Sequence, residues 1–178
     1  MLRFSQTSPH SHWLGTTAVP DLRFIAHSED ETDRLGQALA VCLRPGDVVT
    51  LNGDLGAGKT RLVRSIVNAL ADEEQPVNSP TFVLIQQYDA NVPIYHMDAY
   101  RLANEDEFLA MGADEILEGD GICLIEWADR IADALPSDHL RIDIEAGGPT
   151  MRRFAIAATG ERSTAITQSL ERELSAAQ

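Results

Sequence analysis

The sequence predicts an α/β protein with three layers, built around a mixed, mainly parallel central sheet. Three observations support this class: a compact β-branched run at residues 47–51, a glycine-rich segment with an amphipathic helix directly after it, and an alternating apolar pattern near residue 140 that predicts an antiparallel hairpin at the sheet edge. A length of 178 residues suits one domain with one sizeable core. We therefore assign residues 21–178 to a single domain and residues 1–20 to a flexible leader.

The first half of this domain alternates strands and helices. Leu22–Ala26 predicts a short strand, and Ser28 followed three residues later by Glu31 predicts a capping box that begins a helix. Pro45-Gly46 ends that helix, and the strand at residues 47–51 follows. The helix after the glycine-rich segment carries apolar residues at helical spacing: Leu62, Val63, Ile66, Val67 and Leu70.

The second half contains more strands. Residues 82–88, 94–98 and 122–125 predict strands, and the acidic stretches between the last two predict helix and loop. A Gly147-Gly148-Pro149 turn joins two alternating runs and predicts the antiparallel edge hairpin. A terminal helix is predicted by three apolar residues spaced four apart: Ile166, Leu170 and Leu174.

The charge balance favours a protein partner over nucleic acid. Fourteen basic residues against 28 acidic residues give a formal net charge of −14, which repels tRNA or DNA at long range. No apolar run is long enough for a membrane span. Cys42 and Cys123 lie in apolar runs and are predicted to be reduced core thiols. These features predict a cytoplasmic protein whose partner is another protein and not naked nucleic acid.

The glycine-rich segment matches a phosphate-binding motif. It reads Gly53-Asp54-Leu55-Gly56-Ala57-Gly58-Lys59-Thr60 and fits the pattern G-x-x-x-x-G-K-[ST], in the order of strand, loop and helix that phosphate binding requires. The backbone N–H groups of the loop are expected to surround the phosphates, with Lys59 on the β- and γ-phosphates and the Thr60 hydroxyl on Mg²⁺. The alternative is a glycine turn that merely precedes a helix. The match predicts a P-loop nucleotidase.

The lysine of this motif also bears on the base. Lys59 is the only lysine in the chain. The Asn-Lys-x-Asp signature of guanine-specific GTPases requires a second lysine, so the sequence favours ATP over GTP.

A second carboxylate is needed to help hold magnesium. Glu126 ends the apolar run Ile122-Cys123-Leu124-Ile125 in the manner of a Walker B strand, although a solvated strand-end carboxylate would give the same pattern. Asp98 also closes an apolar strand and is the rival candidate. His96 is open to three interpretations: a hydrogen-bonded core histidine, a residue that orders the site, or a zinc ligand together with Asp98.

Four motifs in order and spacing resemble the TsaE family, formerly called YjeE, the ATPase of bacterial tRNA threonylcarbamoyladenosine biosynthesis. The resemblance covers residues 22–144. The motifs that carry it are the P-loop, Ser79-Pro80-Thr81-Phe82, His96-Met97-Asp98-Ala99-Tyr100-Arg101 and Ile125-Glu126-Trp127.

The resemblance implies roles for individual residues. Thr60 and Glu126 would bind Mg²⁺, and Asp98 would be a catalytic or water-positioning carboxylate. Ser79-Pro80-Thr81-Phe82 would act as a switch-like loop over the nucleotide, which makes Thr81 a catalytic candidate beside Asp98 and Glu126. Trp127 would lie beside the nucleotide, although core packing of a strand-end tryptophan is an equally physical interpretation.

The resemblance further implies the function. The protein would associate with the TsaD and TsaB transferase subunits and use ATP hydrolysis to reset their complex. Two other functions use the same motif: a small-molecule kinase, which usually adds a basic lid, and a nucleotide-gated binding module with little hydrolysis. We expect slow hydrolysis by the isolated chain, because Arg101 can pair with Asp98 while Arg61 and Arg64 point outward from their helix.

Overall fold

The computed structural model describes residues 21–176. The predicted leader at residues 1–20 lies outside the described residues. Within them the strands are β1 (Leu22–Ala26), β2 (Val48–Asn52), β3 (Ile85–Tyr88), β4 (Ile94–Asp98), β5 (Ile122–Glu126), β6 (Leu140–Ala146) and β7 (Arg152–Ala158). The helices are α1 (Glu29–Cys42), α2 (Lys59–Leu70), α3 (Glu105–Leu109), α4 (Ala113–Leu117), a 3₁₀ segment (Ala128–Ala134) and α5 (Glu161–Ala176).

All seven strands form one mixed sheet with the order β1-β7-β6-β2-β5-β4-β3. The four central strands β6, β2, β5 and β4 are parallel to one another, and antiparallel pairs complete the sheet on both sides. Every residue of β2 and of β5 is buried, as expected for central strands with helices on both faces. The predicted α/β class with its parallel centre is confirmed.

The predicted hairpin is β6 and β7, which pair antiparallel from Leu140 with Ala158 to Ala146 with Arg152. It does not form the outermost edge of the sheet. β1 pairs antiparallel with the outer side of β7, so β1 is the edge strand on this side. The alternating pattern identifies a hairpin but carries no information about a third strand that joins it from the N-terminal end.

Two apolar clusters fill the space between the three layers. On one face of the sheet, α1, α2 and α5 pack on the strands through residues such as Leu35, Leu62 and Leu170. On the other face, α3, α4 and the 3₁₀ segment pack through Phe108, Ala113, Ala128 and Ile131. Cys42 and Cys123 are buried free thiols, as predicted.

Helix α1 begins as the sequence predicts. The Ser28 hydroxyl accepts a hydrogen bond from the Glu31 N–H at 3.2 Å, and the Glu31 carboxylate accepts one from the His27 N–H at 2.7 Å. The cap satisfies backbone donors that the first helical turn leaves unpaired.

One predicted strand begins later than expected. The sequence predicts a strand over residues 82–88, but β3 begins at Ile85. Pro80 O accepts the N–H groups of both Val83 and Leu84, and Leu84 adopts a positive φ of 67°. The apolar residues 82–84 give the sequence pattern of a strand, whereas their backbone forms a tight turn.

None of the helices within residues 21–176 combines the length and apolarity that a membrane crossing requires.

Candidate functional site

The predicted phosphate loop connects β2 to α2. Gly53 has a φ of 143° and Gly58 a φ of 108°, values that residues with side chains rarely adopt. A Cβ atom on Gly53 would lie 2.3 Å from the Ile144 carbonyl oxygen, so the loop also needs glycine there for close backbone approach. Gly58 immediately precedes the first residue of α2, so the loop ends at a helix N-terminus where N–H groups are free to bind an anion.

The remaining residues of the motif differ in exposure. Asp54 and Gly56 are exposed, and the Leu55 side chain is 83% exposed. Ala57 is buried and its N–H donates to Asp54 O at 3.1 Å, which closes a tight turn in the loop. The turn leaves Leu55 in solvent at the tip.

Lys59 is buried and folds back over its own loop. Its Nζ donates to Gly53 O at 2.6 Å and to Asp54 O at 3.0 Å, and lies 3.7 Å from the centre of the Trp127 ring. Burial lowers the pKa of Lys59, and the Glu126 and Asp98 carboxylates act in the opposite direction. The ammonium group is therefore held at the loop by carbonyl oxygens, an aromatic face and nearby negative charge.

Thr60 and Glu126 meet as the sequence predicts for two ligands of one ion. The Thr60 hydroxyl donates to Glu126 Oε1 at 2.7 Å. His96 Nε2 lies 2.9 Å from the same oxygen, and because a carboxylate can only accept, Nε2 carries the proton. His96 Nδ1 is buried with no hydrogen-bond partner among the described residues. This hydrogen bond from a buried side chain fits both the core histidine and the ordering role considered from the sequence.

Asp98 lies beside Glu126, because residues 98 and 126 are register partners in β4 and β5. Its Oδ2 accepts from the hydroxyls of Ser79 and Thr81, each at 2.6 Å, and its Oδ1 accepts from the Tyr100 N–H at 2.9 Å. Each hydroxyl has a single proton, so the 2.7 Å separation of the two hydroxyl oxygens adds no third hydrogen bond. Asp98 fastens the loop of residues 79–82 to the sheet.

The tip of that loop is exposed. The Phe82 side chain is 85% exposed, and the Arg101 guanidinium lies 4.3 Å from the centre of its ring. The expected pairing of Arg101 with Asp98 is wrong: the carboxylate is satisfied by Ser79, Thr81 and Tyr100, and the guanidinium stacks on Phe82 instead.

Trp127 lies between the two halves of the site. Its backbone is left-handed at a φ of 59°, and its N–H donates to Leu51 O at 2.9 Å. Its ring contacts the Lys59 ammonium and the Tyr100 ring, whose centre is 4.9 Å away. The strand-end tryptophan therefore lines the site instead of packing only into the core.

Two arginines of α2, which the sequence predicts to point outward, contact groups away from the phosphate loop. Arg61 forms ion pairs with Glu29 and Asp33 on α1. Arg64 donates through Nε and Nη2 to Val77 O, at 3.0 and 2.8 Å. Neither guanidinium points toward the phosphate loop.

Sequence reasoning missed Arg152, the first residue of β7. Its guanidinium donates to Ala57 O at 2.7 Å and to Gly56 O at 3.3 Å, so it braces the outside of the phosphate loop. The signal in the sequence was slight, namely an arginine just after the hairpin turn, and its position depends on the three-dimensional sheet order.

The donor set suits a nucleoside triphosphate with a hard divalent cation. Loop N–H groups and Lys59 offer positive charge to phosphate oxygens, while Thr60 and Glu126 offer two oxygens of the kind that Mg²⁺ prefers. Among residues 21–176 no group of three or more His, Cys, Asp or Glu side chains is placed to hold a metal ion. A zinc site on His96 and Asp98 therefore has no further protein ligands within the described chain.

Comparisons with known proteins agree with this arrangement. A family model described as "Threonylcarbamoyl adenosine biosynthesis protein TsaE" matches residues 26–154. A Bacillus subtilis protein named "tRNA threonylcarbamoyladenosine biosynthesis protein TsaE" is 40% identical over 155 residues, which cover 86% of this chain and 96% of the relative. A Treponema pallidum protein of the same name is 37% identical over 136 residues, covering 76% of this chain and 100% of the relative.

A solved structure is similar as well. The crystal structure of Bacillus subtilis YdiB superposes with a TM-score of 0.74 at 36% sequence identity, and the match covers 85% of this chain and 94% of that chain. The family match spans the phosphate loop, the loop of residues 79–82, β4 and β5. The chain belongs to the TsaE family.

Proposed function

We propose that this protein binds ATP and Mg²⁺ and hydrolyses ATP in support of tRNA threonylcarbamoyladenosine modification. The observation that carries the proposal is the meeting of Thr60 and Glu126 at 2.7 Å directly beside the phosphate loop. The names of the relatives supply the pathway. The residues present fit the ion, because a hydroxyl and a carboxylate from adjacent elements converge while phosphate oxygens and water can supply the other ligands.

Each residue then has a physical task. The Lys59 ammonium now contacts the carbonyl oxygens of Gly53 and Asp54. When nucleotide binds, it leaves these oxygens and holds the β- and γ-phosphates as a buried point charge. Thr60 and Glu126 would hold Mg²⁺, which would supply positive charge to offset the charge that develops on the transferring phosphoryl group. Trp127 excludes water from one side of the ammonium group, which strengthens its electrostatic contact with phosphate.

Asp98 positions the loop that closes the site. Its Oδ2 holds the hydroxyls of both Ser79 and Thr81, so the loop keeps one geometry relative to the ends of β4 and β5. A carboxylate this close to Glu126 can also orient an attacking water by accepting its hydrogen bond. Thr81 acts with Asp98 as part of this loop.

The isolated chain is proposed to be slow. P-loop hydrolysis requires positive charge on the transferring phosphoryl group beyond the loop lysine, and an arginine supplied in cis or in trans contributes roughly 10³–10⁵ in rate. Arg61, Arg64 and Arg101 each hold another group. We propose that TsaD and TsaB supply the missing positive charge, or that they order the loop of residues 79–82 so that this charge is not needed.

The exposed apolar side chains support a protein partner at the site. Leu55 at the tip of the phosphate loop and Phe82 at the tip of the 79–82 loop are 83% and 85% exposed. Two large apolar groups on the two loops of a nucleotide site are suited to burial against a protein surface. The formal net charge of −14 disfavours direct contact with tRNA.

The test is phosphate release from Mg²⁺-ATP by the purified protein, alone and with TsaD and TsaB. We expect slow release alone and faster release with the subunits. Lys59→Ala should abolish tight ATP binding, whereas Arg172→Ala, a charge-matched control on α5, should bind normally. Unchanged affinity of Lys59→Ala would refute the phosphate site.

Two other results would favour other functions. Loss of ATP only when an acceptor is added would identify a small-molecule kinase. Tight binding without turnover, with or without the subunits, would identify a nucleotide-gated binding module.

A further inference from the structure

Arg152 joins the hairpin turn to the phosphate loop. Toward the loop, its Nε lies 2.7 Å from Ala57 O and its Nη2 lies 3.3 Å from Gly56 O. Toward the hairpin, its Nη1 lies 2.9, 3.0 and 3.4 Å from the carbonyl oxygens of Met151, Gly148 and Pro149. All five contacts are to backbone carbonyls, so the Arg152 side chain contacts the backbone of both segments.

The contact with Ala57 O controls the next N–H group. A trans peptide unit is planar, and its C=O and N–H point in opposite directions. Because Ala57 O faces Arg152, the N–H of Gly58 faces away from the hairpin. Gly56 O also faces Arg152. The N–H of Ala57 therefore points inward, where it donates to Asp54 O at 3.1 Å. The guanidinium thereby sets the orientation of two successive peptide units in the loop.

The left-handed backbone of Gly58 makes this support necessary. Gly56 and Gly58 have positive φ values of 79° and 108°, and glycine reaches many other conformations at little cost. A Cβ built on Gly58 would lie 3.6 Å from Arg152 Nε, so the arginine packs directly against this flexible residue. A planar guanidinium with several donors in a fixed fork holds two carbonyls better than a single ammonium group.

The neighbouring arginine provides a contrast. Arg153 follows Arg152 on β7, points to the opposite face, and pairs with Glu145 at 3.6 Å. No carboxylate of residues 21–176 forms an ion pair with Arg152. The printed contacts of the Arg152 guanidinium are therefore backbone carbonyls of the phosphate loop and of the hairpin.

We infer that Arg152 is a positioning residue for phosphate binding, which holds the Gly56–Gly58 backbone in the conformation that presents its N–H groups. The inference rests on the proposed nucleotide function. It assigns the hairpin a part in the site through the contact of Arg152 with the phosphate loop.

The test compares Arg152→Met with Arg153→Met, in the full chain. Hydrogen exchange of residues 53–60 is measured without nucleotide, and ATP affinity is measured with and without Mg²⁺. Arg152→Met should exchange about tenfold faster in this segment and bind ATP about tenfold more weakly, since charge-assisted hydrogen bonds are lost. Arg153→Met should change neither quantity by more than about twofold.

Arg152→Lys separates charge from geometry and serves if Arg152→Met fails to fold. It retains the charge but not the fork, so exchange should remain fast and affinity should recover only in part. Full recovery of both quantities would overturn the inference, as would weaker ATP binding by Arg152→Met with unchanged exchange. If the wild-type protein does not bind ATP, the proposed function fails, whereas the exchange result still tests the contact.

Discussion

The Thr60 hydroxyl lies 2.7 Å from Glu126 Oε1, and His96 Nε2 lies 2.9 Å from the same oxygen. One carboxylate oxygen is thus held from two sides, by the first turn of α2 and by the adjacent strand β4. In the proposed magnesium site, the contact with His96 would fix the orientation of the Glu126 carboxylate before the ion binds. We therefore expect the binding of magnesium to be most sensitive to substitution of Glu126.

Glu126→Gln should raise the Mg²⁺ concentration needed for half-maximal hydrolysis by at least about tenfold, because the amide keeps the size but loses the charge. Nucleotide binding without Mg²⁺ should change by less than about threefold. Metal titrations of hydrolysis and nucleotide titrations with and without Mg²⁺ measure both quantities. Glu171→Gln, an exposed change on α5, is the control. Equal losses in the two assays would make Glu126 a structural residue.

Asp98→Asn should loosen the loop of residues 79–82, because both oxygens of Asp98 now accept hydrogen bonds and the amide has only one acceptor oxygen. In either orientation its NH₂ group faces the Tyr100 N–H or the two hydroxyls. We expect hydrolysis to fall by about a hundredfold, while affinity for Mg²⁺-ATP stays within about threefold. Single-turnover rates and equilibrium binding separate the two effects. The exposed residue Asp120 supplies a control in Asp120→Asn. A large loss of affinity with normal turnover would contradict the assigned role.

Gly53→Ala and Gly56→Ala form a matched pair in one loop. Gly56 has nothing within 4 Å of a built Cβ, so alanine there should cost only the left-handed backbone strain, about 1 kcal/mol of unfolding free energy. Alanine at Gly53 meets the Ile144 carbonyl at 2.3 Å and should cost about 3 kcal/mol or more. Urea unfolding measures both. Equal costs would show that the close approach of Ile144 does not limit residue 53.

Phe82→Ala should leave the folded protein intact because the ring is almost fully exposed. We expect a change below about 0.5 kcal/mol in unfolding free energy and unchanged hydrolysis by the isolated chain. Hydrolysis stimulated by TsaD and TsaB should fall by about tenfold if the ring is buried in that complex. Val41→Ala, which removes an exposed apolar group from α1, is the control. Full stimulation of Phe82→Ala would exclude the loop tip from the interface.

Stability should fall at alkaline pH through Cys123. Burial raises the pKa of the Cys123 thiol from 9.0 to about 12. Between these values the unfolded chain loses a proton that the native protein keeps, so the unfolding free energy falls as pH rises, by about 1.4 kcal/mol per pH unit for this thiol. Burial also raises the pKa of Cys42 and Tyr88. The Cys123 share is the difference in slope between the wild-type protein and Cys123→Ala in urea unfolding from pH 7 to pH 10.5. Parallel slopes would contradict it.

The contiguous parts of the site were predictable from sequence. The phosphate loop is eight consecutive residues whose glycines, lysine and threonine each have a local reason. Glu126 and Asp98 were found because each closes an apolar run, and carboxyl ends of parallel strands lie along one edge of a sheet. Thr60 and Glu126 then meet because β2 and β5 are neighbours.

The parts that depend on sheet order were not predictable. Arg152 reaches the phosphate loop only because β6 lies between β7 and β2, which no local pattern records. β1 joins β7 over more than a hundred intervening residues, so the outer edge was misplaced. Arg101 was paired with the nearest carboxylate in sequence, whereas that carboxylate was already satisfied by a distant loop.

The sheet order also determines when during folding the site comes into existence. Three neighbouring strands end at Asn52, Glu126 and Asp98, although long stretches of chain separate these residues. Bringing the strands together therefore costs loop-closure entropy before the contacts between them can form and offset it. Lys59, the Thr60 hydroxyl and the Glu126 carboxylate lie within reach of one ligand only after β2, β5 and β4 have paired. A nucleotide and ion that bind as proposed would therefore select the assembled sheet, and at saturating concentration they would raise the melting temperature by mass action.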